Sequence, residues 1–113
     1  MTNCKPGDVV LREVVFTDQV GAKKRPAVVL SPASFGSRYG DAILIPLTSQ
    51  QGDDALQVRH WSSAGLLKPT WVKPLIVTVS HRLIVKRLGH LVPSDEQPVC
   101  DALRLAIDVR WLR

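Results

Sequence analysis

Lys23-Lys24-Arg25-Pro26 runs directly into Ala27-Val28-Val29-Leu30, which sets a guanidinium at the mouth of an apolar strand. A proline opening a strand needs no ladder donor there, and it pushes the residue before it into extended backbone. Arg25 is therefore expected to be held by rigid backbone and still open to a ligand. Its planar fork can grip phosphate oxygens in pairs and keeps its charge at neutral pH. Elsewhere, a hydroxyl pair, Thr48-Ser49, ends the apolar run from Ala42 to Leu47. Trp71 lies between Lys68 and Lys73, a setting in which an indole can stack a nucleic-acid base, although core or dimer-interface packing is the default for each tryptophan. His60 and His81 are of the residue type suited to proton transfer, although a surface or structural role is the default for each. Cys4, Cys100, His60, His81 and His90 show no metal-ligand spacing, so no metal or other cofactor is expected.

Charge is distributed unevenly. The 113 residues carry a net charge of +5, with an isoelectric point of about 9.7. No acidic residue occurs between Ala55 and Ser94, an interval that holds Arg59, Lys68, Lys73, Arg82, Lys86, Arg87 and all three histidines. Folded onto a sheet, such a segment makes a positive face that attracts polyphosphate by counterion release. The hydrophobic fraction of 45% and mean hydropathy of +0.06 fit one globular domain over residues 1–113 rather than a disordered chain. No run approaches the roughly 18 apolar residues of a membrane span, and residues 1–6 lack a secretion-type apolar core. A cytoplasmic protein with free thiols at Cys4 and Cys100 is expected.

The elements that must position these side chains are short. Residues 8–16 form a strand, bulged near Arg12-Glu13; residues 17–24 form a loop rich in turn formers, and Pro26 to Leu30 form the second strand. Ser31 to Gly40 is a connection with room for one helical turn. The run from Ala42 to Leu47 is a third strand, with Pro46 arguing for an edge position or a bulge. Leu56–Arg59, Thr70–Val72, Ile76–Val79 and Lys86–Leu91 supply further short strands, and His81–Val85 suits a helical turn. The one strong helix is C-terminal, with Val99, Ala102, Leu103 and Ala106 on one face. Capping at Asp95 puts Pro98 at the third helical position, where its missing donor is harmless. Five or six strands and a terminal helix imply a small, strongly curved barrel.

Five pieces in order carry a likeness to a known family: Gly7-Asp8-Val9-Val10, Lys24 to Leu30, Ile45-Pro46-Leu47-Thr48-Ser49, Gly65 to Thr70, and Leu88-Gly89-His90-Leu91 before the capped helix. Together they resemble the MazF/PemK toxins over nearly the whole chain. The resemblance implies an SH3-like barrel of the CcdB/PemK type with a C-terminal helix. It also implies a homodimer, a metal-independent and sequence-selective endoribonuclease acting on single-stranded RNA, and an acidic antitoxin as partner. Arg25 matches the family's catalytic arginine and Thr48 the threonine of its Pro-Leu-Thr-Ser motif. Ser49, Lys24, Lys73, Trp71 and Gln19 are the accompanying candidates for RNA contact. Many relatives carry a carboxylate after Thr70, where this chain reads Val72-Lys73-Pro74-Leu75. Either another group takes the proton, Asp18, Glu13 or a histidine being the candidates, or activity is weak; one alternative is a barrel that has lost catalysis and serves only to bind nucleic acid or an antitoxin-like peptide. A CcdB-type gyrase inhibitor is the other alternative, but that type does not need the Arg25 and Thr48 pair.

Overall fold

A computed structural model describes residues 4–15 and 21–112. Among them, seven strands form one antiparallel sheet: β1 (Asp8–Val15), β2 (Ala22–Val29), β3 (Asp41–Thr48), β4 (Gln57–Val58), β5 (Thr70–Val72), β6 (Val77–Ser80) and β7 (Ile84–His90). Helix α1 (Ala33–Tyr39) lies between β2 and β3, and α2 (Glu96–Ala106) follows β7. The strand order is β4-β5-β3-β2-β1-β7, with β6 also beside β3. The sheet curls into a half-barrel, and α2 closes one side of it.

Continuous apolar runs form strands here because both sheet faces are covered. Val9, Val28, Ile45, Leu47, Val58 and Val72 pack with Val99 and Ala102 of α2. Their chain neighbours Val10, Ala27, Val29 and Leu44 point the other way, against Cys4, Val79 and Ile84. Each fully buried valine or isoleucine contributes about 1.5–3 kcal/mol. Burial raises the Cys4 thiol above its ordinary pKa, and the nearby Asp8 charge adds to this, with Arg87 opposing.

Several expectations are refined. β2 begins four residues earlier than Pro26, so Lys23, Lys24 and Arg25 belong to a strand and not to a loop. Pairing with β1 stabilises this exposed extension, which its polar composition did not advertise. The predicted irregularity in β1 is present as register shifts against β7, between Val9 and Val10 and again between Leu11 and Arg12. Pro46 is on neither an edge strand nor a bulge. β3 pairs with β6 through Leu44 and with β5 from Leu47, and the Pro46 carbonyl accepts a hydrogen bond from the Lys73 amide at 2.9 Å. The missing N–H thus falls in the gap between two partner strands.

Helix α2 starts as the proline argument requires, with Asp95 before Glu96 and Pro98 third, but the Asp95 side chain makes no cap bond to its own helix. Its buried carboxylate instead accepts from the Arg59 and His60 amides at 3.1 and 2.9 Å. The helix start is thereby tied to the loop after β4.

Candidate functional site

The ends of β1, β2 and β3 build a groove of about 1000 Å³, together with the loop before β5 and one face of β7. Among the described residues its lining holds Arg12, Lys24, Arg25, Lys68, Lys73 and Lys86 and no acidic residue. Six cations facing one cavity repel one another in the empty groove, so an anionic ligand relieves a cost that the fold carries by itself.

Strand register places the central groups. In the β1–β2 ladder Arg12 is the direct partner of Arg25, and Glu13 that of Lys24. The β2–β3 ladder pairs Val29 with Leu44, Val28 with Ile45 and Ala27 with Pro46. That pairing ends at Ala27 and Pro46, and Arg25 and Thr48 lie two residues beyond it on their own strands, both in the groove lining. Cross-strand partners share a face, so Arg12 and Arg25 stand side by side across β1 and β2.

The Arg25 and Thr48 side chains each make a local hydrogen bond. The Arg25 guanidinium donates to the Lys24 carbonyl at 3.2 Å. The Thr48 hydroxyl accepts from the Gln50 amide at 3.1 Å, a turn that fixes its rotamer. With its oxygen engaged as acceptor, the hydroxyl proton is free to be donated to a bound oxyanion. Lys73 is anchored through its amide to Pro46, and the Thr70 hydroxyl donates to the Lys68 carbonyl at 2.8 Å.

Backbone contact holds the lysine-bearing loop over the groove. Gly65 has φ +83, and a Cβ there would strike the Leu88 carbonyl; a Cβ on Gly89 would strike the Ala64 carbonyl. Two glycines thus allow the loop to lie directly on β7, which brings Lys68 to the same cavity as Lys86. This close approach explains why glycines stand at both places in the sequence.

Of the residues singled out from sequence, Arg25, Thr48, Ser49, Lys24 and Lys73 line the groove. Trp71 does not. Only 8% exposed, it lines an adjoining pocket of about 250 Å³ that shares Thr48, Gln50 and Lys73 with the groove. Gln19 and Asp18 lie outside the described residues. No histidine lines the groove. The His60 ring lies 3.5 Å from the Asp95 carboxylate, the His81 ring sits where a Gly36 Cβ would be, and His90 Nδ1 is 2.8 Å from Asp8 Oδ1. Among the tryptophans, Trp61 packs against the main core and Trp111 is largely exposed.

Arg12, Lys68, Lys86 and Gln50 are groove residues that the sequence reading did not assign. Arg12 carried no signal in the sequence, because its place opposite Arg25 is set by strand register.

The comparisons agree with this architecture. A MazE–MazF complex from Deinococcus radiodurans superposes with a TM-score of 0.68 at 20% identity, covering 98% of this chain and 97% of that one. An endoribonuclease with its cognate antitoxin from a mycobacterial species gives 0.69 at 17% identity, covering 91% and 93%. The Mycobacterium tuberculosis toxin MazF-mt6 gives 0.67 at 20% identity, covering 88% and 96%. At these identities the likeness establishes the shared fold. A search among curated proteins found no match. The family model that does match, over residues 5–107, is that of the PemK-like, MazF-like toxins of type II toxin–antitoxin systems, and the chain belongs to that family.

Proposed function

We propose that this toxin is a metal-independent, sequence-selective endoribonuclease that cuts single-stranded RNA to a 2′,3′-cyclic phosphate and a 5′-hydroxyl. The observation that carries the reading is a groove lined by Arg25 and Thr48 together with five further cations and, among the described residues, no carboxylate. In such a cleavage the 2′-oxygen bonds to phosphorus, the bond to the 5′-oxygen breaks, the 2′-hydroxyl loses its proton, and the leaving oxygen gains one. Arg25 would bind the non-bridging oxygens and offset the charge that grows in the pentacovalent state. Thr48 would donate its free hydroxyl proton to the same phosphate. Lys24, Ser49 and Lys73 would hold flanking phosphates, and the pocket beside Trp71 would receive a base. Because the nucleophile is the RNA's own hydroxyl, no activated water is required. The solved relatives described as an endoribonuclease with its cognate antitoxin and as MazE–MazF support an antitoxin partner. An acidic, extended segment laid in the groove is the form that its charge favours.

A second reading is favoured by one feature: among the described residues no carboxylate or imidazole lines the groove. The barrel would then bind RNA or antitoxin without cutting. Incubating the purified protein with a long single-stranded RNA in excess EDTA, beside Arg25→Ala, separates the two. Discrete cuts with cyclic-phosphate ends, reduced at least about 10²-fold in the variant, are expected. Fragments with 5′-phosphate ends, or full activity in the variant, contradict the nuclease assignment. Binding with no cutting establishes the second reading.

A further inference from the structure

Arg12 faces Arg25 across the β1–β2 ladder, and both line the groove. Like charges set directly opposite on one face destabilise a sheet. The next pair along, Glu13 with Lys24, has the opposite signs that a ladder favours. Arg12 is also costly in its own right. It is half-buried, its Nε atom is fully buried with no hydrogen-bond partner among the described residues, and desolvation works against its charge. Among the described residues no acidic side chain lines the cavity to compensate. Two guanidiniums held together at such cost match an oxyanion, and a phosphodiester, with two non-bridging oxygens, can engage both of them at once.

We infer that Arg12 is a second phosphate-contacting residue, which with Arg25 clasps a single phosphodiester between β1 and β2. The inference rests on the nucleic-acid reading of the groove, and it adds a function for Arg12 that neither the charge pattern nor the hydroxyl motif assigned. Arg25 and Arg12 approach the phosphate from neighbouring strands, and Thr48 approaches from the third. In cleavage, Arg12 would share with Arg25 the charge that develops on the non-bridging oxygens, leaving the proton transfers unchanged.

The test uses Arg12→Gln and Arg12→Lys in the full chain, with Arg38→Gln on α1 as a remote control. Binding is measured against a 2′-O-methyl RNA, which cannot be cut, over a salt series, so the result does not depend on the nuclease assignment. Arg12→Gln is expected to bind about tenfold more weakly at low salt. Its log–log salt slope should shrink by about 0.7, the amount for one phosphate contact on a single strand. Its melting temperature should be unchanged or higher, because a like-charge pair has been removed. Arg12→Lys should keep the salt slope. On cleavable RNA, however, Arg12→Lys should lose at least about tenfold in single-turnover rate, since a lysine lacks the fork. Arg38→Gln should change none of these. Wild-type affinity and slope in Arg12→Gln overturn the inference, as does a rate loss matched by a lowered melting temperature that Arg12→Lys does not restore. If the wild-type protein cuts nothing and Arg12→Gln still loses slope, the nuclease reading fails and the phosphate contact stands.

Discussion

Asp8 shows how a buried charge is held in this fold, away from the groove. Its side chain is 1% exposed and accepts from the Lys5 amide at 3.0 Å, His90 Nδ1 at 2.8 Å and Arg87 Nε at 3.0 Å. Burial alone would raise its pKa, but these three donors together hold it below the ordinary carboxylate value. A carboxyl group depressed in the folded state stabilises the protein above its unfolded pKa of about 3.9, and that stability is lost as pH falls through the folded value. Asp8→Asn is therefore expected to cost about 3 kcal/mol at neutral pH. Its melting temperature should also fall less steeply than the wild type's when followed from pH 5 downward. Identical acid profiles for the two proteins would refute this role. Arg25→Lys probes geometry at the same scale: charge and fold are retained while the fork is lost. Cleavage should drop at least about tenfold, with RNA affinity little changed in a binding assay.

At the scale of elements, the groove depends on how the loop before β5 meets β7. Gly65→Ala combines a strained positive φ with a collision against the Leu88 carbonyl, which is backbone and cannot swing aside. A loss of at least about 2 kcal/mol in chemical denaturation is expected. Gly52→Ala, whose Cβ would meet nothing within 4 Å, should be nearly neutral and serves as its comparison. Asp95 provides the second tie, joining the start of α2 to the Arg59–His60 amides. The strand extension at Ala22–Arg25 is the third, because pairing with β1 turns three basic residues from a loose segment into a rigid row.

On the scale of the whole molecule, charge and exposed apolar surface set the partners. If all six groove cations engage a single strand, the log–log salt slope of binding is about −4. A fluorescence titration between 50 and 300 mM salt measures it, and a flat response would remove the groove from consideration. With no carboxylate or imidazole among the described residues of the groove, the cleavage rate is expected to rise with pH through the neutral range, about tenfold per unit. An acid limb that disappears in Asp18→Asn would instead place the base in residues 16–20. Leu105, Val109, Trp111 and Leu112 are exposed together at the C-terminal end. A second copy of the chain is the expected cover, and sedimentation at micromolar concentration tests for a dimer.

Local chemistry alone determined a good deal of this protein. Apolar runs, proline positions and helix periodicity placed β1, β3, β5, β6, β7 and α2 nearly as observed, since each property acts within a few residues. Arg25 stood out as a charge at the mouth of such a run and Thr48 by its match to the family's Pro-Leu-Thr-Ser motif, and both line the groove. Strand register decided the rest. It set Arg12 against Arg25, stretched β2 back to Ala22, and put Pro46 in a gap between two partners of a central strand. Long-range packing decided that Trp71 is buried beside the groove and that Asp95 serves a loop rather than its own helix. Hydrogen bonds and contacts between segments that are distant in the chain leave no periodic trace in the residues that make them, so only the tertiary structure could show them.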